Sequence, residues 1–195
     1  MGGINKCLLK LSGKPLLSHV LERAQTPVGP IVINANGDPK QYSDFNLPVA
    51  EDVVGEFAGP LAGILTALDW ASTHAPSCKF VASFPGDSPF FPSDLVSKLY
   101  KEIEGGSVMA YASSDDRHHP VFGLWPVASR SDLRDAILAN NIRKVDVWTS
   151  RHKLGVVNFP TNDIDPFFNL NTKEDLSKAE IYLQTGKIGF SNEHD

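Results

Sequence analysis

Asp87 is the residue with the clearest opening for chemistry. Residues 79–84 form an apolar run that stops at Pro85-Gly86-Asp87. A strand of that kind carries its next residue to the carboxyl edge of a sheet, where α/β proteins bind ligands. A lone carboxylate there suits Mg2+, which takes one or two protein carboxylates and completes its shell with water and phosphate oxygens. The other reading is a turn or N-cap aspartate for a helix starting near Pro92, and the residue by itself leaves both open.

Other segments carry weaker signals of the same kind. Gly59-Pro60-Leu61-Ala62-Gly63 can lay backbone N–H groups and the positive end of a helix dipole against an anion or a base edge, or can simply be a tight loop. Lys6 and Lys14 lie in a glycine-containing stretch ahead of a helix. Lysine is a mobile point charge suited to phosphate, and equally a common solvated surface residue. Asn169-Leu170-Asn171-Thr172 puts two amides on one side of an extended segment, as a polar clamp or as a helix start. His118-His119-Pro120 lacks metal-ligand spacing and reads as a solvent-facing turn. Arg143, Lys144, Arg151, His152 and Lys153 form a modest basic group, for an anionic substrate or for solvent. The sequence has no Gly-x-Ser-x-Gly, no GxGxxG and no GxxxxGK[ST], which counts against a hydrolase elbow, a dinucleotide fingerprint and a P-loop.

These residues need a frame. Leu16, Leu17, Val20, Leu21 and Ala24 recur at helical spacing after Pro15. Residues 8–11 are a short apolar piece ending at Ser12-Gly13, and strands are predicted at 31–33, 47–50, 79–84, 108–112, 121–125 and 154–159. The run at 79–84 has the continuous apolarity of a strand buried on both faces, the habit of parallel sheets. Helices are predicted from Gly59 through Leu68 and Ala71, from Pro92 to about Ile103, over 131–140, and over 172–183 with a Thr172-x-x-Asp175 start. Residues 142–148 fit either type. The alternation implies a three-layer α/β domain with a mostly parallel sheet over 1–185, followed by a loose tail, 186–195. Asn34, Asp52, Asp87 and Asn169 then follow strands at the ligand-binding edge.

Bulk composition agrees. The 195 residues include 42% hydrophobic and 21% charged, an ordinary globular balance. Lys and Arg total 18 against 23 Asp and Glu, a net charge of -5, which argues against a coat for nucleic acid or an anionic membrane. No apolar run approaches the roughly 18 residues of a membrane span. The opening residues form neither a signal peptide nor a myristoylation site. Cys7 and Cys78 stand far apart, which excludes a disulfide scaffold and fits a reducing cytoplasm.

Taken together and in order, the motifs are far more specific than their parts. They are Met1-Gly2-Gly3-Ile4-Asn5-Lys6, Leu11-x-Gly13-Lys14-Pro15-Leu16, Asn34-Ala35-Asn36, Glu51-Asp52, Gly59-Pro60-Leu61-Ala62-Gly63, Pro85-x-Asp87-x-Pro89 and Asn169-x-Asn171-Thr172. In order and spacing the chain resembles the molybdenum cofactor guanylyltransferases, from residue 1 to about 183 and most sharply before 90. The resemblance implies a Rossmann-like nucleotidyltransferase fold. It implies transfer of GMP from GTP to molybdopterin, with Mg2+, giving the guanine dinucleotide cofactor and pyrophosphate. Molybdoenzymes or their chaperones would receive the product. By motif, Lys6 contacts nucleotide phosphates, Asn34 and Asp52 contact guanosine, and Gly59 to Gly63 line the base pocket. Asp87 holds the metal, and Asn169 and Asn171 lie near metal and pterin. Arg143 and Lys144 match a basic pair facing the pterin phosphate. The residue types suit such chemistry, because a substrate phosphate oxygen is the nucleophile and catalysis rests on alignment and charge neutralisation.

One departure stands out. The family begins with an apolar strand, a Leu-Ala-Gly-Gly loop and an Arg ahead of the Met-Gly-Gly that opens this chain. The expectation is a chain without the first strand and the phosphate-cradling loop, two exposed strand edges, weak GTP binding and slow turnover. Tight binding of GTP and Mg2+ in calorimetry would contradict it. The competing expectations are a related cytidylyl- or sugar-phosphate nucleotidyltransferase, and a non-catalytic pterin-binding remnant.

Overall fold

The computed structural model describes residues 5–25, 28–55, 59–161 and 164–185. The tail at 186–195 and the first four residues of the opening motif lie outside them.

A 3-10 turn, Lys6–Leu8, leads into a small hairpin of β1 (Lys10–Leu11) and β2 (Lys14–Pro15). Its two connecting residues, Ser12 and Gly13, have φ of 48° and 83°. Positive φ at both central positions matches a two-residue turn to the twist of its strands. Helix α1 (Leu16–Ala24) follows and buries Leu16, Leu17, Val20, Leu21 and Ala24, the five residues its periodicity singles out. β3 (Ile33–Asn34) pairs in parallel with β4 (Val49–Ala50). The strand is shorter than the β-branched run suggests, because pairing with β4 covers only Ile33 and Asn34.

After α2 (Pro60–His74) comes a four-stranded sheet built from β5 (Phe80–Ser83), β6 (Met109–Ser114), β7 (Arg117–Pro126) and β8 (Leu154–Asn158), in the order β5-β7-β6-β8. β7 runs antiparallel to β5 and β6, whereas β6 and β8 are parallel. The sheet is therefore mixed: three strands share one direction and a reversed β7 lies between two of them. The β6–β7 turn holds Asp115 and Asp116 at φ of 44° and 61°. A register shift follows between Tyr111 and Ala112, and Pro120 sits in this irregular part of β7, where a missing N–H breaks no ladder. The expected solvent-facing turn at 118–120 is thus strand, and His119 is buried.

Helices cover both faces of this sheet. On one side α2, α4 (Arg130–Leu138) and α5 (Val145–Thr149) pack Leu65, Leu68, Leu133 and Trp148 against Met109, Tyr111 and Trp125. On the other, α1 and α3 (Leu95–Glu104) pack Val20, Leu95 and Leu99 against Ala110, Ala112, Phe122 and Leu124. Alternate residues of β6 therefore serve opposite layers, as a two-residue period requires. Gly123 makes room for the Trp125 indole, which donates to Ser83 Oγ at 2.8 Å.

The ambiguous stretch at 142–148 resolves as coil and then the short α5. α6 (Lys173–Thr185) buries Ala179 in a cluster with Leu11 and Leu16. Its start is the expected reciprocal cap: Asp175 N donates to Thr172 Oγ1 at 3.0 Å, and Thr172 N to Asp175 Oδ2 at 2.9 Å.

Candidate active site

The site assembles where β3 and β5 end. Past β5 the chain turns at Pro85–Asp87, and Asp87 is half-buried. The N-cap reading falls away, since the residue at that position of α3 is Asp94. Gly86 permits a close crossing: a Cβ there would stand 2.7 Å from Cys7 Sγ. Burial first, and the Asp87 carboxylate second, push the Cys7 thiol above its ordinary value. The thiol stays protonated and is no nucleophile at neutral pH.

The 164–171 segment comes back to the same place. Leu170 N donates to Asp87 O at 3.0 Å. Ser88, fully buried, donates through Oγ to Asn169 Oδ1 at 2.6 Å. Lys6 Nζ donates to Asn171 Oδ1 at 3.0 Å. One bonded network thus gathers Lys6, Asp87, Asn169 and Asn171.

The segment is anchored from behind by a buried relay. Ser114 Oγ donates to Asp165 Oδ1 at 2.9 Å and lies 2.6 Å from His119 Nε2. A hydroxyl has one proton, so His119 Nε2–H is the donor to Ser114. Burial holds the His119 imidazole below its ordinary value, against the opposing pull of Asp165.

A second network closes the end of β3. Asn34 Nδ2 donates to Ala50 O at 3.1 Å and to Asp52 Oδ1 at 3.0 Å. Asn36 Nδ2 donates to Asp52 Oδ2 at 2.9 Å, and Asp52 N returns a bond to Asn36 Oδ1 at 3.0 Å. The carboxylate is fixed but keeps lone pairs for N–H donors of a ligand. Gly63 is what admits Asn34, because a Cβ there would collide with its side-chain oxygen. Gly59, at the N-cap of α2, holds φ of 58°, a conformation open mainly to glycine. Among the described residues no side chain caps this helix start, which leaves its backbone N–H groups polar.

One cavity of about 800 Å³ is lined by Asn34, Asp52, Gly59 and Gly63 on one flank and by Cys7 and Gly86 on the other; Lys6 and Asp87 are the chain neighbours of the last two and, like Asn169 and Asn171, stand outside its lining. Arg143 joins less directly. Its backbone oxygen is 3.5 Å from the Cβ position of Gly59, but its guanidinium donates to Ile137 O and Ile142 O at 2.8 and 3.1 Å. Lys144 is exposed at the N-cap of α5. Lys14 is paired with Glu22 at 2.8 Å. Ser88, Asn36 and the Ser114–His119–Asp165 relay are the participants that residue patterns did not single out as site groups. For Ser88 the available signal was its place directly after Asp87.

Among the described residues no three His, Cys, Asp or Glu side chains gather as a metal cage. Asp87 therefore fits a cation whose shell is completed by substrate phosphates, not one enclosed by protein.

An α/β fold that sets a carboxylate and a lysine beside one flank of a cavity, and a fixed acceptor with a glycine-led helix start on the other, has the equipment of a nucleotidyltransferase. Comparison with known proteins specifies the group. Residues 1–153 match the family described as the MobA-like NTP transferase domain. The molybdenum cofactor guanylyltransferase of Rhodopseudomonas palustris strain HaA2 is 45% identical over 181 residues, covering 92% of this chain and 85% of that protein. That of Mesorhizobium japonicum is 43% identical over 190 residues, covering 95% and 90%. The crystal structure of molybdopterin-guanine dinucleotide biosynthesis protein A from Archaeoglobus fulgidus superimposes with a TM-score of 0.70 at 27% identity, covering 94% of this chain and 92% of that one. The chain belongs to the molybdenum cofactor guanylyltransferase family, and it is a nucleotidyltransferase.

Proposed function

We propose that this protein transfers GMP from GTP to molybdopterin carrying molybdenum, giving the guanine dinucleotide cofactor and pyrophosphate. A phosphate oxygen of the pterin attacks the α-phosphorus. The new P–O bond forms as the bond to the bridging α–β oxygen breaks, and pyrophosphate leaves with the electron pair. No protein nucleophile is needed, consistent with a Cys7 thiol held neutral.

The observation that supports this reading is one cavity lined by Asn34 and Asp52 on one flank and closed on the other by Cys7 and Gly86, the chain neighbours of Lys6 and Asp87. Asp52 accepts from the N1 and N2 donors of guanine, with Asn34 holding it in place, and the Gly59–Gly63 segment admits the base edge. Lys6 lies against the phosphates and neutralises charge growing on the leaving group. Asp87 would hold Mg2+ together with those phosphates; bound there, the cation supplies charge neutralisation and in-line alignment. Asn169 and Asn171 border the pterin phosphate, and Arg143 and Lys144 extend that border, Arg143 through its backbone. A cytoplasmic setting goes with this chemistry, supported by two free cysteines. None of the helices among the described residues is long and apolar enough to cross a membrane.

The test is label transfer from α-phosphate-labelled GTP to molybdopterin with the protein in excess, in competition with unlabelled GTP or CTP. Unlabelled GTP should suppress the signal and an equal amount of CTP should not. Suppression by CTP would move the assignment to a cytidylyltransferase.

A further inference from the structure

One buried polar cluster stands apart from the cavity. Ser114 ends β6 and His119 lies on β7, both buried, and Asp165 joins them from the segment that follows β8. None of the three lines the cavity. Asp165 Oδ1 accepts from Ser114 Oγ at 2.9 Å and from Phe167 N at 2.9 Å. Ser114 Oγ in turn accepts from His119 Nε2 at 2.6 Å. The His119 ring packs on Phe167 with centroids 4.6 Å apart.

Stability alone does not call for such a cluster. Apolar side chains of similar shape can fill a buried place equally well, because paired polar groups recover little beyond the cost of leaving water. What a satisfied polar set adds is a single register: one hydroxyl proton and one ring N–H match only one arrangement of the Asp165 carboxylate. The chain between β8 and α6 needs that, since it holds no helix or strand whose ladder could fix it. Phe168 N donates to Asp165 O at 3.0 Å and closes a turn at this point.

From that turn to the site the path is short. Asn169 Oδ1 accepts from Ser88 Oγ at 2.6 Å, and Leu170 N donates to Asp87 O at 3.0 Å. The Ser88 hydroxyl also lies 3.4 Å from Asp87 Oδ1. Leu170 is fully buried in a cluster with Phe90, so Asn169 is pinned on both sides. The turn that bears Asp87 is thereby braced by a chain of contacts that begins at His119. Among the described residues no hydrogen bond ties this chain to the Asn34, Asn36 and Asp52 network on the other flank.

We propose that Ser114, His119 and Asp165 are positioning residues of the transfer step: through the turn at 165–170 they set Asn169 and the backbone of Asp87 on the phosphate side of the site, and they leave the base side untouched. The inference takes its substrates from the reaction proposed above, but the geometry it invokes stands without them. A positioning error of this kind lowers the rate of reaction more than it weakens binding of the nucleotide, because alignment of the reacting groups matters most in the transition state. His119 is the outermost donor of the chain, a part that a glutamine amide N–H can copy and a leucine cannot. Ser114→Ala cuts the chain in the middle.

The test uses the full chain and two readouts. Amide hydrogen exchange, which needs no substrate, is followed at Phe167 and Leu170. Single-turnover GMP transfer to molybdopterin is followed against GTP concentration at saturating Mg2+. Leu133→Val, in the core on the opposite face of the sheet, controls for general loss of stability. Ser114→Ala and His119→Leu should speed exchange at both amides about tenfold or more and lower the transfer rate at saturating GTP by a similar factor, while the GTP concentration for half-maximal rate moves less than about threefold. His119→Gln should bring exchange and rate back to within about threefold of wild type, and Leu133→Val should move neither. Unchanged exchange at Leu170 would overturn the proposal, and so would a wild-type transfer rate in a variant whose exchange is fast. Equal effects of His119→Gln and His119→Leu would also overturn it, as the mark of packing alone. A wild type that transfers from CTP and not from GTP fails the guanine reading only; the same split between rate and half-maximal concentration, read with CTP, then decides the proposal.

Discussion

Asn34 commits both N–H groups to Ala50 O and Asp52 Oδ1, and its side-chain oxygen rests against Gly63. A methyl group at 63 must push that amide out and free the Asp52 carboxylate to swing. Gly63→Ala should raise the KM for GTP about tenfold, the cost of roughly one hydrogen bond to a charged group, while unfolding midpoints move little. An unchanged KM would separate Asp52 from the base. His119 supplies a prediction of a different kind. Its folded form binds a proton less readily than the ordinary value of 6.5 because it is buried. The unfolded chain then binds more protons as the medium is acidified, so this stability is present above about 6.5 and is lost as pH falls below it. In urea melts at pH 7.5 and 5.5, the wild type should lose more stability on acidification than His119→Gln. Equal losses would mean that the imidazole titrates freely. The positions of Asn34, Asp52 and Asp87 at or just past strand ends were legible from the apolar runs before them, whereas Asn169, expected directly after a strand, lies well beyond the end of β8 at Asn158 and is brought back by the 164–171 segment. His119 was not: Pro120 mimics a turn, while the reversal occurs at Asp115–Asp116 and the proline sits in an irregularity of β7.

Elements position these groups through their ends. The 164–171 segment is fixed at one end by the relay on β6 and β7 and at the other by the cap of α6. Thr172→Ala removes that cap and should cost about 1 kcal/mol. In a chain of this size that is a fall of roughly 2–4 °C in melting temperature, which calorimetry would detect. No change would show that α6 is held by Ala179 and its cluster alone. Periodicity located α1, α2, α3 and the α6 start well, because each presents a stripe or a cap of its own. It misplaced β5. An apolar run reads the same whether the strand has neighbours on both sides or pairs with β7 alone, and β5 is half-buried and antiparallel to its one partner in the described sheet. The reversal of β7 has no local signature, since strand direction is set by connections and packing.

At the scale of the whole molecule, the account requires both flanks of the cavity to act on a single nucleotide. In the proposed orientation the base would lie toward Asp52 and the phosphates toward Lys6 and Asp87, groups contributed by distant parts of the chain. The family membership and the three-layer fold make a nucleotidyltransferase; the substrate orientation is the part proposed from the arrangement of the flanks. The most direct measurement is single-turnover transfer from α-labelled GTP to molybdopterin with Mg2+, comparing wild type with Asp87→Asn. The account predicts a fall of about 100-fold or more in rate with an unchanged melting temperature. Near-normal transfer by Asp87→Asn would contradict it.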